Sequence, residues 1–575
     1  MSDRIFRVNM TDLSTRTEDI PDRWAGLGGR GLTSHVVAEE VPPVCHPLGP
    51  DNRLVFAPGL LSGTAAANSG RLSCGAKSPL TGTIKESNAG GMAAQMLARL
   101  GCRALIIEGK PEGDTWYCLH FSREGIEIRE ETELAGKGNF AVVETVAERL
   151  GKHLGVITIG QAGEMLLLAA NISVKDPEGK LRSHGRGGLG AVMGSKRLKF
   201  IAIDASGCSV DLADPDCFRE ASRAFAKALV ENPISQALGK YGTNILVNIV
   251  NEAGALPTRN FQSGQFEDHE KISGETMHDM IRERGGRVKH NCHPGCVIQC
   301  SQVFNDRKGK YLTSGFEYES IWAMGADCCV ADLDLIAEAD HVMDDIGIDT
   351  IETSVAFGVA MEAGGLEFGD GKGMLRILKE DVAKGTPLGR IIGCGAGHTG
   401  RAFGVTRVPV VKNQAIPAYD PRSVKGIGIT YATSTMGADH TIGYTIATNL
   451  LNSGGHVDPL SKEGQVELSR NLQIATAAVD STGMCIFVAF AGLDDEKCLP
   501  ALVDMINARF GTALTLDDVM GLGRRILMTE RDFNLKAGFT SAHDRLPEFF
   551  SKEPLPPHNA IWDFTGEEID SFWDF

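Results

Sequence analysis

Four cysteines constrain this chain more than any other feature, because three share one short loop and the fourth lies far away in sequence. His290-Asn-Cys-His-Pro-Gly-Cys-Val-Ile-Gln-Cys300 carries Cys292, Cys296 and Cys300, and Asp480-Ser-Thr-Gly-Met-Cys485 carries Cys485. Three thiolates from one tight loop and one from a remote segment is a common way to hold a 4Fe-4S cluster. A fold that does this must bring residue 485 beside the 292–300 loop. Short cysteine spacing also suits structural zinc, but zinc sites usually close with a second Cys/His pair at similar spacing. No such pair follows; His290 and His293 lie beside the trio itself. Pro294-Gly295 predicts a tight turn that aims the thiolates.

Composition narrows the partners. The chain has 575 residues and a net charge of −17. An acidic surface of that size argues against nucleic acid or an anionic membrane as partner. No apolar run reaches membrane-spanning length, the segment from Cys485 to Leu493 being among the longest. The start, Met1-Ser-Asp-Arg-Ile-Phe-Arg, lacks the apolar core of a signal peptide. A cytoplasmic protein is expected, in which the remaining cysteines are reduced, small core residues.

The length predicts about three domains. Residues 1–205 read as β-rich, with strands expected at Arg4–Asn9, Arg53–Ala57, Ala104–Glu108, Trp116–His120, Gly125–Arg129, Gly155–Ile159, Met165–Ile172 and Lys199–Ile203. Helical periodicity takes over from Asp211, giving helical domains at 206–410 and 411–575 and an α+β class. Asp332–Ile346 places Leu335, Ile336, Val342, Met343 and Ile346 on one face. Gly347 then supplies a left-handed stop, and Asp349-Thr-Ile-Glu352 has the form of a capping box.

One echo stands out. Asp344-Asp-Ile-Gly-Ile-Asp349 and Asp480-Ser-Thr-Gly-Met-Cys485 share the pattern Asp-x-x-Gly-apolar-Asp/Cys, each after an apolar helix. Alone, either is ordinary helix-end chemistry. Together they read as a pseudo-symmetric pair gripping a two-part ligand.

Other segments are glycine-rich or charged. Ser183-His-Gly-Arg-Gly-Gly-Leu-Gly-Ala-Val-Met-Gly-Ser-Lys196 offers free backbone N–H groups and cations to an anion, although it fits neither the P-loop nor the dinucleotide order. A structural glycine loop is the plainer reading. Arg71 to Pro79 followed by Glu86-Ser-Asn-Ala-Gly-Gly91 is either an anion site or a β-hairpin with surface charges. Glu317-Tyr-Glu319 opens an apolar helix and is either acid/base equipment or an acid-enriched N-terminus. His440 sits in a glycine-bounded turn.

As a set, these residues resemble the aldehyde:ferredoxin oxidoreductase family nearly end to end, from Arg4-Ile-Phe-Arg-Val-Asn9 and Gly28-Gly-Arg-Gly-Leu32 to the cysteines. The resemblance implies tungsten, or molybdenum, held by two pterins, one 4Fe-4S cluster, and a magnesium ion bridging the pterin phosphates. It implies a β-sheet base under the cofactor and one pterin loop on each helical domain. Arg71, Asn88, Gly90, Arg186, Gly187 and Gly188 match the phosphate side; Asp344, Ile348 and Asp349 match one pterin loop; Asp480 and Met484 match the other. Cys292, Cys296, Cys300 and Cys485 match the cluster ligands. Glu319 and His440 match an acid/base pair, with Tyr318 a neighbour able to hydrogen-bond substrate. The implied reaction oxidises an aldehyde to a carboxylic acid with water and passes electrons through the cluster to ferredoxin or a ferredoxin-like subunit. A homo- or hetero-oligomer is implied too.

The first cysteine gap is three residues where the family usually has two, which resembles a bacterial branch. Glu338-Ala-Asp-His341 fits the family's interface-metal motif, but no histidine lies between Gly369 and Arg390, so no bridging metal is expected. Two rivals remain: a reductase on the same cofactor, acting for instance on an aromatic acyl-CoA, and a non-catalytic iron–sulfur carrier.

Overall fold

In the computed structural model, which describes residues 3–575, two six-stranded sheets lie within the N-terminal 203 residues. The first runs Ser14–Asp19, Arg4–Asn9, Cys102–Glu108, Leu54–Pro58, Leu72–Lys77, Ile84–Ala89. The second runs Leu181–His184, Ile172–Lys175, Gly155–Thr158, Leu198–Ile203, Tyr117–Ser122, Gly125–Glu130. Each contains one parallel pair, Arg4–Asn9 with Cys102–Glu108 or Tyr117–Ser122 with Leu198–Ile203, and its other pairs are antiparallel.

Side-chain alternation sets the layers. Leu54 and Phe56 face a core shared with Ile157, Val174 and Ile201 of the second sheet. Val55 and Ala57 face the opposite way, onto Leu32, Val36 and Val37 of helix Gly29–Glu40. Helix Asn139–Leu150 covers the outer face of the second sheet through Val142, Val143 and Val146.

Beyond Pro215 the chain is mainly helical, apart from a two-residue pairing of Val410–Val411 with Gln414–Ala415 and a larger element that periodicity missed. Arg287–His290, Ser301–Asn305 and Tyr311–Ser314 form a small antiparallel sheet, and the cysteine loop is the connection between its first two strands. Among the described residues no helix is long and apolar enough to cross a membrane.

The two Asp-x-x-Gly segments end helices Leu333–Ile346 and Gln465–Thr482, and Gly347 (φ 73°) and Gly483 (φ 83°) take the left-handed conformation. Both loops dock on the N-terminal region through backbone hydrogen bonds. Asn171 N–H donates to Gly347 O (2.9 Å), and Asp349 N–H donates to Ala169 O (2.9 Å). Leu60, Leu61 and Arg71 N–H donate to Ser481, Thr482 and Gly483 O (3.0, 2.9 and 3.0 Å). Glycines make the approach possible: a Cβ on Gly160 would fall on Ile346 O, and one on Gly59 would fall on the amide of Gly483.

Two local expectations fail for this reason. The strand expected over Met165–Ile172 begins only at Ile172, because the backbone of 169–171 bonds to the first Asp-x-x-Gly loop and to Gly393. Asp349 does cap its helix, accepting from Ile351 N–H (3.1 Å), but Glu352 does not complete a capping box. Its carboxylate is buried and accepts from Ala396 N–H and Ala415 N–H (3.0 and 2.8 Å). Gly59→Ala places a methyl on backbone that has nowhere to move; the expected cost is about 1–3 kcal/mol, the scale of overpacking. It is read as a lowered thermal midpoint, and an unchanged midpoint would contradict this account of the docking.

Candidate active site

A cavity of about 350 Å³ lies where the sheets meet both Asp-x-x-Gly loops and the cysteine loop. Arg71, Gly90, Arg186, Tyr318, Glu319, Asp344, Asp349, His440, Cys292, Cys300 and Cys485 line it. Asn88, Gly187, Gly188, Ile348, Asp480, Met484 and Cys296 do not.

The cysteine end is built around Asn68, a residue the sequence gave no reason to single out. Its backbone takes the left-handed conformation (φ 59°). Its N–H donates to Gly295 O (3.0 Å) and its carbonyl accepts from Cys485 N–H (3.0 Å). Its side chain accepts from Val297 N–H (2.9 Å) and approaches Cys296 Sγ at 3.8 Å. One asparagine therefore ties the remote cysteine segment to the cysteine loop. The ligand atoms of Cys292, His293 and Cys296 all lie within 4.8 Å of one another. Cys300 and Cys485 fall outside that tight set but share the cavity wall with Cys292. Their thiols feel each other: burial, with help from Cys292, pushes Cys485 up to about 11, and burial, Glu317, Cys292 and Cys485 raise Cys300. Cys292 is driven the other way, chiefly by a hydrogen bond from Cys296, then by His293, Arg71 and Arg182. Gly90 must be small, since a Cβ there would sit 3.1 Å from Cys292 O and 3.3 Å from its sulfur.

On the sheet side, the expected hairpin and the expected anion-side residues are the same element. Leu72–Lys77 pairs with Ile84–Ala89, and Arg71 Nε donates to Asn88 Oδ1 (2.7 Å). Asn88 Nδ2 in turn reaches Asp480 Oδ1 (3.4 Å), and buried Arg30 reaches Asp480 Oδ2 (3.4 Å). Arg186 is buried and donates to Ala438 O and Ala415 O (2.8 and 2.7 Å), with Asp349 and Glu352 at 3.3 Å. Gly187 and Gly188 pack against Lys85 and Leu168 O. Arg182, also missed from sequence, pairs with Asp176 (3.0 Å) and Ser314 (2.9 Å), and Asp176 holds His290 (2.7 Å). Burial raises Asp349, and burial with neighbouring Asp340 raises Asp344 well above the carboxylate range.

Glu319 and His440 meet across the cavity, with Oε1 3.3 Å from Nε2. The approach lacks hydrogen-bond alignment, and Glu319 Oε1 and His440 Nδ1 are buried with no protein partner. The other carboxylate oxygen accepts from Ala418 N–H (3.1 Å), and the Tyr318 hydroxyl donates to Ala418 O (2.8 Å), so the main chain of one residue meets both side chains. Burial pushes Glu319 up to about 8 and His440 down to about 4. At neutral pH the pair is therefore a protonated carboxyl beside a neutral imidazole. Tyr419 and Tyr444, unremarked in the sequence, complete the surroundings with a 2.8 Å hydroxyl–hydroxyl bond.

The model of "Aldehyde ferredoxin oxidoreductase, N-terminal domain" matches residues 5–205, and that of "domains 2 & 3" matches 220–570. The chain belongs to the aldehyde ferredoxin oxidoreductase family. It is 36% identical to the tungsten-containing aldehyde ferredoxin oxidoreductase of Pyrococcus furiosus and 37% identical to that of Thermococcus kodakarensis, covering 96% of this chain and 92% of each relative. An aliphatic sulfonate oxidoreductase WOR-like subunit of P. furiosus is 26% identical over 96% of this chain and 88% of its own. Among solved structures, the active-site complex BamBC of benzoyl coenzyme A reductase superimposes with a TM-score of 0.81 at 18% identity, covering 99% and 93% of the two chains, which shows the shared fold. Family membership makes the chain an oxidoreductase with the expected sheet-then-helix architecture.

The Glu319 shift carries a stability consequence. The native state keeps this proton up to about pH 8, whereas an unfolded glutamate releases it near 4.5. Unfolding therefore releases a proton in that window, and stability falls as pH rises through it. Glu319→Gln removes that loss, so the variant's thermal midpoint should decline less than the parent's between pH 5 and 9; parallel curves would refute the shift.

Proposed function

We propose that this protein oxidises an aldehyde to a carboxylic acid with water, using a tungsten or molybdenum bis-pterin, and passes the electrons through a 4Fe-4S cluster to a ferredoxin-like acceptor. The observation that carries the reading is one cavity holding both the Glu319–His440 pair and the cysteine wall. The residues suit such groups. Cys292, Cys300 and Cys485 share the cavity wall, Cys296 and His293 lie close to Cys292, and Gly90 lets the backbone approach Cys292 closely. Each docked Asp-x-x-Gly loop would hold one pterin, through Asp344, Ile348 and Asp349 in one loop and Asp480 and Met484 in the other; of these, Asp344 and Asp349 line the cavity. Arg71, Asn88 and the 186–188 turn would hold the cofactor's anionic groups, with a magnesium ion helping to balance their charge. When bound, the metal centre supplies two-electron redox chemistry and the cluster moves the electrons singly.

The chain's own residues handle the protons and the orientation. The balance is RCHO + H2O → RCOOH + 2 H⁺ + 2 e⁻. Ionised Glu319 takes a proton from the attacking water; a base with a pKa near 8 is well matched to that work. Neutral His440 has a nitrogen without a protein partner and donates to the carbonyl oxygen. Tyr318 holds Ala418, and thereby Glu319, in place. The benzoyl coenzyme A reductase likeness keeps a reductive reaction on the same cofactor as the second reading, and the retained Glu319–His440 pair favours aldehydes. The chain's composition supports a cytoplasmic setting, and the family resemblance supports a homo- or hetero-oligomer.

Glu319→Gln should lower dye-linked aldehyde oxidation about 10²–10⁴-fold while metal content is retained. In the parent, kcat/KM should rise with pH toward a plateau above about 8. Full activity in the variant would remove Glu319 from the reaction. Cys296→Ala should lose iron and acid-labile sulfide; parental iron with an unchanged paramagnetic resonance signal would strike this cysteine from the ligands.

A further inference from the structure

We propose that the arm of the cavity from His440 to Phe487 seats the substrate's side chain and selects an uncharged aryl aldehyde. This rests on the aldehyde reading above and goes on to name the substrate class. Three ring contacts in succession build the arm. His440 and Tyr444 meet edge to face with centroids 6.3 Å apart, and Tyr444 and Phe490 do the same at 6.3 Å. Phe490 and Phe487 lie parallel within 8°, 6.2 Å apart. Leu472 and Leu493 also line the cavity, and Leu493 is 37% exposed, which marks this end as the mouth.

The long apolar run noted after Cys485 thus has a place: it leaves the cysteine wall and turns its rings into the cavity. Rings packed edge to face and parallel favour a planar aromatic guest. The arm offers little to a polar one. The Tyr419 and Tyr444 hydroxyls bond each other. Two arginines of the cavity wall already face carboxylates, Arg182 with Asp176 and Arg186 with Asp349 and Glu352, and Arg71, bonded to Asn88, belongs to the side proposed above for the cofactor's anionic groups. A phosphate or carboxylate on the substrate would be stripped of water here without a cation to meet it. With its ring in the arm, an aryl aldehyde presents its carbonyl to Glu319 and His440.

The test uses the anaerobically purified holoenzyme with a viologen acceptor. Benzaldehyde should exceed acetaldehyde in kcat/KM by about tenfold or more, the scale of one or two ring contacts, and glyceraldehyde 3-phosphate should be the poorest of the three. Phe487→Ala should lower the benzaldehyde-to-acetaldehyde ratio about tenfold, and Phe487→Leu, which keeps apolar volume, should fall between. Binding of benzamide, an uncharged aryl probe, should weaken in the same order by calorimetry, in samples with parental tungsten and iron content. Preference for acetaldehyde or the phosphorylated aldehyde overturns the proposal, as does an unchanged ratio with unchanged benzamide affinity in Phe487→Ala. If no aldehyde is oxidised, the reaction assignment fails by itself. Benzamide binding that depends on Phe487 would then still support an aryl-selective arm, and its absence would overturn it.

Discussion

The architecture depends on backbone meeting backbone at two places. Each Asp-x-x-Gly loop is hydrogen-bonded to the N-terminal region through main-chain groups, and each contact passes over a glycine with no room for a side chain. Main-chain hydrogen bonds are directional and obligatory once buried, so they fix a helix end against a sheet more precisely than apolar packing does. From these two docks follow the position of Asp344 and Asp349 on one side and of Asp480 on the other. Cys485 follows as well, because its segment continues from the second dock and is held to the cysteine loop by Asn68.

That geometry is bought with buried charge. Arg30 pairs with Glu530 through two bonds of 2.9 Å and also reaches Asp480, and Arg186 meets two carboxylates and two carbonyls in the interior. Buried ion pairs of this kind seldom add much net stability, since desolvation offsets the attraction. Their contribution here is placement. The same burial holds Glu319 and His440 neutral near pH 7, which suits groups that exchange protons with a reacting molecule.

Much of this was legible in the sequence. Strands with steady apolar content, helix Leu333–Ile346 with its apolar face and Gly stop, and the paired Asp-x-x-Gly pattern all express local rules that the fold obeys. The cysteine spacing and the Glu319/His440 positions were readable because the resemblance tied them together. What stayed hidden depends on long-range contacts. Asn68 is an ordinary polar residue until its two carbonyls and two nitrogens find partners 200 and more residues away. Arg182 looks like a strand residue until Asp176 and Ser314 surround it. The 165–171 segment has strand composition, but its main chain is spent on a helix end. The small sheet around the cysteine loop was masked by helices on both sides, and Tyr444 carried no motif.

The central claim is that soft donors and a chelate-sized cavity stand side by side in one molecule. Elemental analysis of anaerobically purified protein, with acid-labile sulfide measured on the same sample, tests it most directly. The account predicts about four iron atoms with matching sulfide, as a single cubane cluster requires, together with tungsten or molybdenum. Zinc without iron, or iron with neither heavy metal, would contradict it.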